Sequence, residues 1–181
     1  MFISKEQILN EYSKESDSTE FYNSYYFGKK IPETQNRWMI NISSFPQNDL
    51  FVLEKVIEFC LQNRISFQMI RNRKQFLNSF KKDYNPWFSG NLITLFIVEK
   101  NELQNILKSL NNILLNVNHP KLYIGEQYNK FSPLHFEYGS LHFRNDLHTF
   151  NKEVVENYYK NIFLSKRIKT IVWQWITKFI N

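Results

Sequence analysis

The chain is poor in the residues from which several common sites are built. Its 181 residues include four Gly and one Cys. There is no GxGxxG or P-loop sequence, so no glycine-rich loop is on offer to cradle phosphate on backbone N–H groups. The single cysteine, Cys60, excludes an internal disulfide and a cysteine-based metal cluster, and fits a cytosolic setting. No apolar run approaches the roughly 18 residues that a membrane span requires. The opening MFISKEQILNEYSKES has neither the apolar centre nor the small-residue cleavage site of a signal peptide. His135, His142 and His148 are scattered through a late segment without metal-ligand spacing. No nucleophile elbow is present. The expectation is a cytoplasmic protein with no metal and no cofactor.

What is present is apolar and aromatic. Hydrophobic residues make up 43% and aromatics 17%, enough to exclude global disorder, and the length fits one domain with a sound core. The formal net charge is +6, but residues 151–181 hold six Lys/Arg against two Glu, so most of the surplus sits there. The remainder is nearly balanced, which argues against an all-over nucleic-acid surface. In that tail Ile168, Ile171, Val172, Trp175 and Phe179 form a helical stripe with Lys166, Arg167, Lys169 and Lys178 off it. The division expected is a domain over 1–150 and a basic amphipathic helical segment over 151–181. That segment could dock on the domain, on a second protein or on an anionic membrane.

The pattern along the chain turns on Arg37-Trp38-Met39-Ile40-Asn41-Ile42-Ser43. Its alternation predicts a half-buried strand, with Trp38, Ile40 and Ile42 toward a core and Met39, Asn41 and Ser43 free to line a site. Residues 1–36 read as a short helix and an irregular aromatic arm around Phe21–Phe27. Asn48 or Asp49 offers a helix N-cap before Leu50, Leu53, Ile57, Cys60 and Leu61 at helical spacing. Cys60 falls on that stripe as a buried packing residue. Ile65–Ile70 reads as a strand with Phe67 and Met69 on one face, Ser66 and Gln68 on the other. A short helix with Phe76, Leu77 and Phe80 follows, then a strand Leu92–Val98 apolar on both faces, as a central strand is. Asn101 with Gln104 resembles a capping box opening a helix with Leu103, Ile106, Leu107, Leu110, Ile113, Leu114 and Val117. Strands at about 121–125 and 133–141 close the sheet, with Leu134, Phe136 and Tyr138 facing away from His135 and Glu137. The fold class expected is α+β: a mixed, largely antiparallel sheet with packed helices.

Several of these blocks, taken in order, resemble the N-terminal lyase domain of class III lanthipeptide synthetases, a relative of the effector phosphothreonine lyases. Arg37–Ser43 resembles its first core strand, Ile65–Arg73 its second strand and turn, and Phe88–Thr94 its Ser-Gly-Lys-Phe-Ile-Thr-type segment. Tyr123-Ile124 and Leu134–Ser140 resemble its closing strands and Arg-Tyr-Gly turn. The resemblance covers about residues 20–144 and implies a phosphothreonine-lyase-like fold.

The family eliminates phosphate from phosphoserine or phosphothreonine to leave a dehydroamino acid. That needs a base for the α-proton, an acid for the leaving phosphate, and cations around its charge. Where the family places Lys and His on the first strand, this chain has Met39 and Asn41. Gln68 and Asn91 stand at two further Lys positions, Glu137 at an Arg, and Trp87 near another Arg. The implied site is Met39, Asn41, Gln68, Asn91, His135 and Glu137, with no catalytic set. The resemblance thus implies an inactive lyase-like domain that binds a precursor peptide or scaffolds a partner kinase or cyclase. In the family, kinase and cyclase domains follow this region in one polypeptide. The alternative is an active lyase with relocated groups, drawn from His135, Arg71, Arg73, Lys81 and Lys82; His135 beside Glu137 offers an acid–base pair or a structural contact. A third reading is a basic adaptor for membrane or RNA acting through residues 151–181.

Overall fold

A computed structural model describes residues 4–14, 22–27, 32, 34–81, 84 and 89–140. The chain divides into two units, Met1–Gly139 and Ser140–Asn181; apart from Ser140, the described residues belong to the first. The expected helical segment at 151–181, with Lys82, Trp87, His142 and His148, lies outside them.

The elements run α1 (Lys5–Ser13), β1 (Tyr22–Tyr25), β2 (Arg37–Ser43), α2 (Asp49–Asn63), β3 (Ser66–Ile70), α3 (Arg73–Asn78), β4 (Asn91–Ile97), α4 (Lys100–Ile113), β5 (Glu126–Gln127) and β6 (Leu134–Gly139). The six strands form one sheet in the order β1-β3-β4-β2-β6-β5. This is the α+β class that the sequence indicates. The sheet, however, is antiparallel at every described pairing rather than mixed. The strand–helix–strand unit β2-α2-β3 does send two strands the same way, but β4 lies between them and opposes both. Alternation of strand and helix along a sequence does not reveal that insertion.

Most of the strand positions fall as the alternation places them. Ile40 and Ile42 of β2, Phe67 and Met69 of β3, Ile93, Leu95 and Ile97 of β4, and Leu134 of β6 share one buried cluster with α2 and α4. Burying each such side chain in full contributes about 1.5–3 kcal/mol. The clearest departure is β2 itself. Met39, Asn41 and Ser43 are as buried as Ile40 and Ile42, so the strand is covered on both sides rather than one. β4, buried at all seven positions, is the central strand expected.

Other departures are local. Part of the presumed irregular arm pairs as β1 on the edge of β3, where the Tyr25 ring packs on Phe67 with centroids 4.9 Å apart. No strand forms at 121–125; the closing pair is β5 at 126–127 with β6. Gly125, at φ +72°, makes the bend just before it. α4 starts at Lys100 behind Glu99 with no side-chain cap, so Asn101 and Gln104 form no capping box. A capping box sits instead on α1, where Ser4 and Gln7 bond reciprocally. Asn48 caps α2 by position without a side-chain bond, while Asp49 Oδ1 accepts from the Leu50 N–H at 2.7 Å. Leu50 is exposed; the buried stripe of α2 is Val52, Leu53, Val56, Ile57 and Cys60. Cys60 packs as expected, and burial pushes its thiol pKa up.

No described helix is long and apolar enough to cross a membrane.

Candidate functional site

On the side of the sheet away from Ile40 and Ile42, the register aligns one polar residue from every strand. Ser24 stands opposite Gln68, Gln68 opposite Thr94, Thr94 opposite Asn41, Asn41 opposite His135, and His135 opposite Gln127. Directly opposed residues share a face, so this is a continuous polar row across all six strands. Beside it runs a second row, Ser66–Phe96–Met39–Glu137. The polar row is exposed at Ser24 and fully buried at its centre, where Thr94, Asn41 and His135 are 2%, 0% and 1% exposed.

Buried polar atoms demand partners, and at the centre they find one another. The Thr94 hydroxyl donates to Asn41 Oδ1 at 2.9 Å, leaving the Asn41 amide to donate to Glu137 Oε1 at 2.9 Å. Asn91 extends the chain at its other end, donating from Nδ2 to Thr94 Oγ1 at 3.3 Å. The result is a connected run Asn91–Thr94–Asn41–Glu137 drawn from three strands. A bulge between Ile42 and Ser43 shifts the register so that Ser43 comes opposite Asn91. The Ser43 hydroxyl donates to the Pro133 carbonyl at 3.2 Å and lies 3.5 Å from Nδ1 of His119.

The cationic and aromatic groups nearby are committed elsewhere. Arg37, at the start of β2, donates from Nε and Nη2 to the Gln35 carbonyl and from Nη2 to that of Pro32. Its guanidinium also lies over the Phe96 ring, 5.5 Å from the centroid. Tyr26 stacks on the same ring at 6.3 Å, and the Phe27 N–H donates to Ser66 Oγ at 2.8 Å. The turn after β1 is thereby held against the second row.

His135 differs from its neighbours. Neither buried ring nitrogen makes a well-formed hydrogen bond among the described residues, the Pro133 carbonyl being the acceptor within its influence. Burial pushes the imidazole pKa down to about 4, against the pull of the Pro133 carbonyl, and nearby His119 and Lys121 push it further down. At neutral pH the ring is uncharged. The acid–base pair of His135 with Glu137 does not form; the carboxylate takes the Asn41 amide instead.

All six residues implied by the resemblance thus lie on one face. Asn41, Asn91 and Glu137 are joined by the hydrogen-bonded run, His135 stands opposite Asn41, and Met39 stands between Glu137 and Phe96. Gln68, half-buried, is next to Thr94 in register but outside that run. Two participants were not singled out from sequence. Thr94, which links Asn91 to Asn41, is the one polar side chain within the apolar Leu92–Val98 run and shares the parity of Phe96. His119 reads as a helix terminator and reaches Ser43 only through the fold. Of the relocated candidates, Arg73 is committed to Asp49 Oδ2 at 2.8 Å, with its other end on the Pro46 carbonyl. Among the described residues no group of three or more His, Cys, Asp or Glu could hold a metal ion.

No curated protein matches the chain. A family model does: the one described as RamC, N-terminal domain, over residues 9–159. RamC is a class III lanthipeptide synthetase-like protein. With most of its length covered by that match, the chain belongs to the family of RamC N-terminal domains, the N-terminal domains of lanthipeptide-synthetase-like proteins.

Proposed function

We propose that this domain serves lanthipeptide-type peptide maturation without catalysing elimination: it binds the precursor peptide, or scaffolds a partner kinase or cyclase. The observation that carries this reading is the hydrogen bond between Asn41 and Glu137. The resemblance puts a proton-transferring residue at the first position and a phosphate-binding cation at the second. Here a neutral amide and a carboxylate occupy them, and each engages the other. Asn41, Gln68 and Asn91 cannot accept the α-proton at neutral pH. A Glu137 carboxylate repels a phosphate; near a protein surface two unit charges 4 Å apart interact by about 4 kcal/mol. General acid and base each contribute roughly 10²–10⁴-fold, so their joint loss suppresses elimination almost completely. The neutral amides of Asn41 and Asn91, linked through Thr94, carry the donors and acceptors that recognition of a peptide group uses. The scaffolding role falls to residues 151–181.

The test is mass spectrometry of phosphoserine and phosphothreonine peptides incubated with the full chain. Unchanged masses are expected. Loss of phosphoric acid from any of them overturns the inactive reading.

One observation favours the alternative of an active lyase: the His135 imidazole is uncharged, and its bare nitrogen, the one able to take a proton, has no hydrogen-bond partner among the described residues. Its lowered pKa counts against it, because a base is most effective with a pKa near the working pH. Dehydroalanine or dehydrobutyrine formation that disappears in His135→Ala would establish this alternative.

A further inference from the structure

The antiparallel order brings β2 and β3 to a finish at the end of the sheet where β4 and β6 begin. The start of α2, the finish of α3 and α4, and the β5–β6 turn collect there, and they are tied to one another. Asn48 Nδ2 donates to the Asn118 carbonyl at 3.1 Å, Asn129 Nδ2 to Asn111 Oδ1 at 3.0 Å, and Arg73 Nη2 to the Pro46 carbonyl at 3.1 Å. The Phe45 and Phe80 rings pack with centroids 6.2 Å apart, and a Cβ on Gly90 would collide with Pro120. Most of the large apolar side chains left exposed among the described residues belong to this end: Phe45, Leu50, Leu77, Ile113, Leu115 and Phe131. Val98 and Tyr138 lie at the other.

Phe131 protrudes farthest of the six, 78% exposed at the tip of the β5–β6 turn. Asn129 fixes that tip with both ends of its amide: Oδ1 accepts from the Phe131 N–H at 3.0 Å while Nδ2 holds α4. The Ser132 N–H donates to the Asn129 carbonyl at 3.1 Å. The ring is thus held out on a stiff support, and burying it against another surface costs little further ordering. The exposed charges around it are mostly positive. Lys74 and Lys81 flank α3, Lys121 follows Pro120, and Lys130 precedes Phe131 with its ammonium 5.5 Å from the ring centroid. Against them stands exposed Glu126, since Asp49 is buried and bonded to Arg73.

Protruding apolar groups among cations fit an occupant that is anionic at its surface and apolar beneath. A lipid headgroup layer has that arrangement, and it closes around separate side chains without a matching pocket for each. Leu50, Leu77, Ile113 and Leu115 offer no ring for a base to stack on, which argues against RNA. Like charge argues against a second copy of the same end. We propose that this end of the sheet is a membrane-facing surface, with Phe131 inserting at the boundary of headgroups and acyl chains and Lys121 and Lys130 meeting anionic headgroups.

The experiment is co-sedimentation of the full chain with vesicles of equal parts phosphatidylcholine and phosphatidylserine, and with phosphatidylcholine alone. Binding is expected to the first, and about tenfold or more weaker to the second. Phe131→Ser, and Lys121→Glu combined with Lys130→Glu, should each weaken it about tenfold, through the lost ring burial and the reversed charges. The three side chains are exposed, so these variants leave the core intact. An NBD fluorophore on Phe131→Cys should shift to the blue on the anionic vesicles, and one on Gln62→Cys, at the far end of α2, should not; buried Cys60 takes no label. Absence of vesicle binding overturns the proposal, as does a silent label at position 131. Binding that the tip variants leave unchanged, as attachment through residues 151–181 would give, overturns it too. Binding of poly-glutamate without binding of vesicles assigns the end to an acidic protein instead.

Discussion

Asn41 and Glu137 are 96 residues apart in the chain and 2.9 Å apart through the amide Nδ2 and the carboxylate Oε1. Asn41 also accepts from the Thr94 hydroxyl, so it fixes donors and acceptors on both neighbouring strands. Asn41→Leu removes one partner from each neighbour in a buried setting, and the expected loss is about 1–3 kcal/mol for each group stranded. Glu137→Gln keeps an acceptor for the Asn41 amide and should cost much less. Urea denaturation of the two variants checks the order; a larger loss in Glu137→Gln would mean that the charge, not the bond, holds the network.

The stability of the fold should fall in mild acid because of His135. Burial, the largest cause, holds its pKa near 4 in the folded chain, well below its usual 6.5, with nearby His119 and Lys121 pushing the same way. A depressed folded pKa means that the unfolded chain takes the proton first as the pH drops. The contribution is therefore fully present above about 6.5 and is lost as the pH falls toward 4, by roughly 3 kcal/mol in all. Denaturation midpoints measured from pH 7.5 to 4 should show this slope in the wild type and a shallower one in His135→Phe.

A second buried cluster ties the helices together. Asp49 Oδ2 accepts from the Tyr12 hydroxyl of α1 at 3.1 Å and from Arg73 Nε of α3 at 2.8 Å. Asp49 is 2% exposed, whereas the Arg73 side chain is 46% exposed, so solvent screens the ion pair. Most of the value lies in the hydrogen bonds to the carboxylate. Asp49→Ala should cost about 2–3 kcal/mol and Tyr12→Phe about 1–2, with the double variant costing less than the sum because the two share one bond. A thermal-denaturation cycle tests it; strict additivity would deny the coupling.

Gly125 shapes the edge next to the site. Its φ is +72°, and a Cβ there would stand 2.8 Å from the Phe136 carbonyl oxygen. Both the backbone conformation and the close approach call for glycine. Gly125→Ala should therefore cost more than about 1 kcal/mol and loosen the β5–β6 pairing that sets Gln127 opposite His135. Faster amide exchange in that pairing, with β3–β4 unchanged, is the expected signature.

Much of the arrangement was legible in the residues. Alternation placed Phe67 and Met69 opposite Gln68, and Leu134 opposite His135, because a strand's side chains change face at every step. Helical spacing put Cys60 in the core for a similar reason. The weaker signals were the ends and the pairings. The strand expected at 121–125 gives way to a bend at Gly125, and the presumed arm becomes β1 because an open edge of β3 was there to receive it.

The sequence by itself determined which residues share a face: the period of the chain is local geometry, and Met39, Asn41 and Ser43 could only stand together. Only the tertiary structure decided that this face is buried and what its polar groups do. β4 inserts between β3 and β2, so Thr94 meets Asn41; β6 closes on β2 in the one register that brings Glu137 within reach of the same amide. Hydrogen bonds between strands depend on register and burial, which are settled by residues far apart in the chain and not by the local pattern around any one of them.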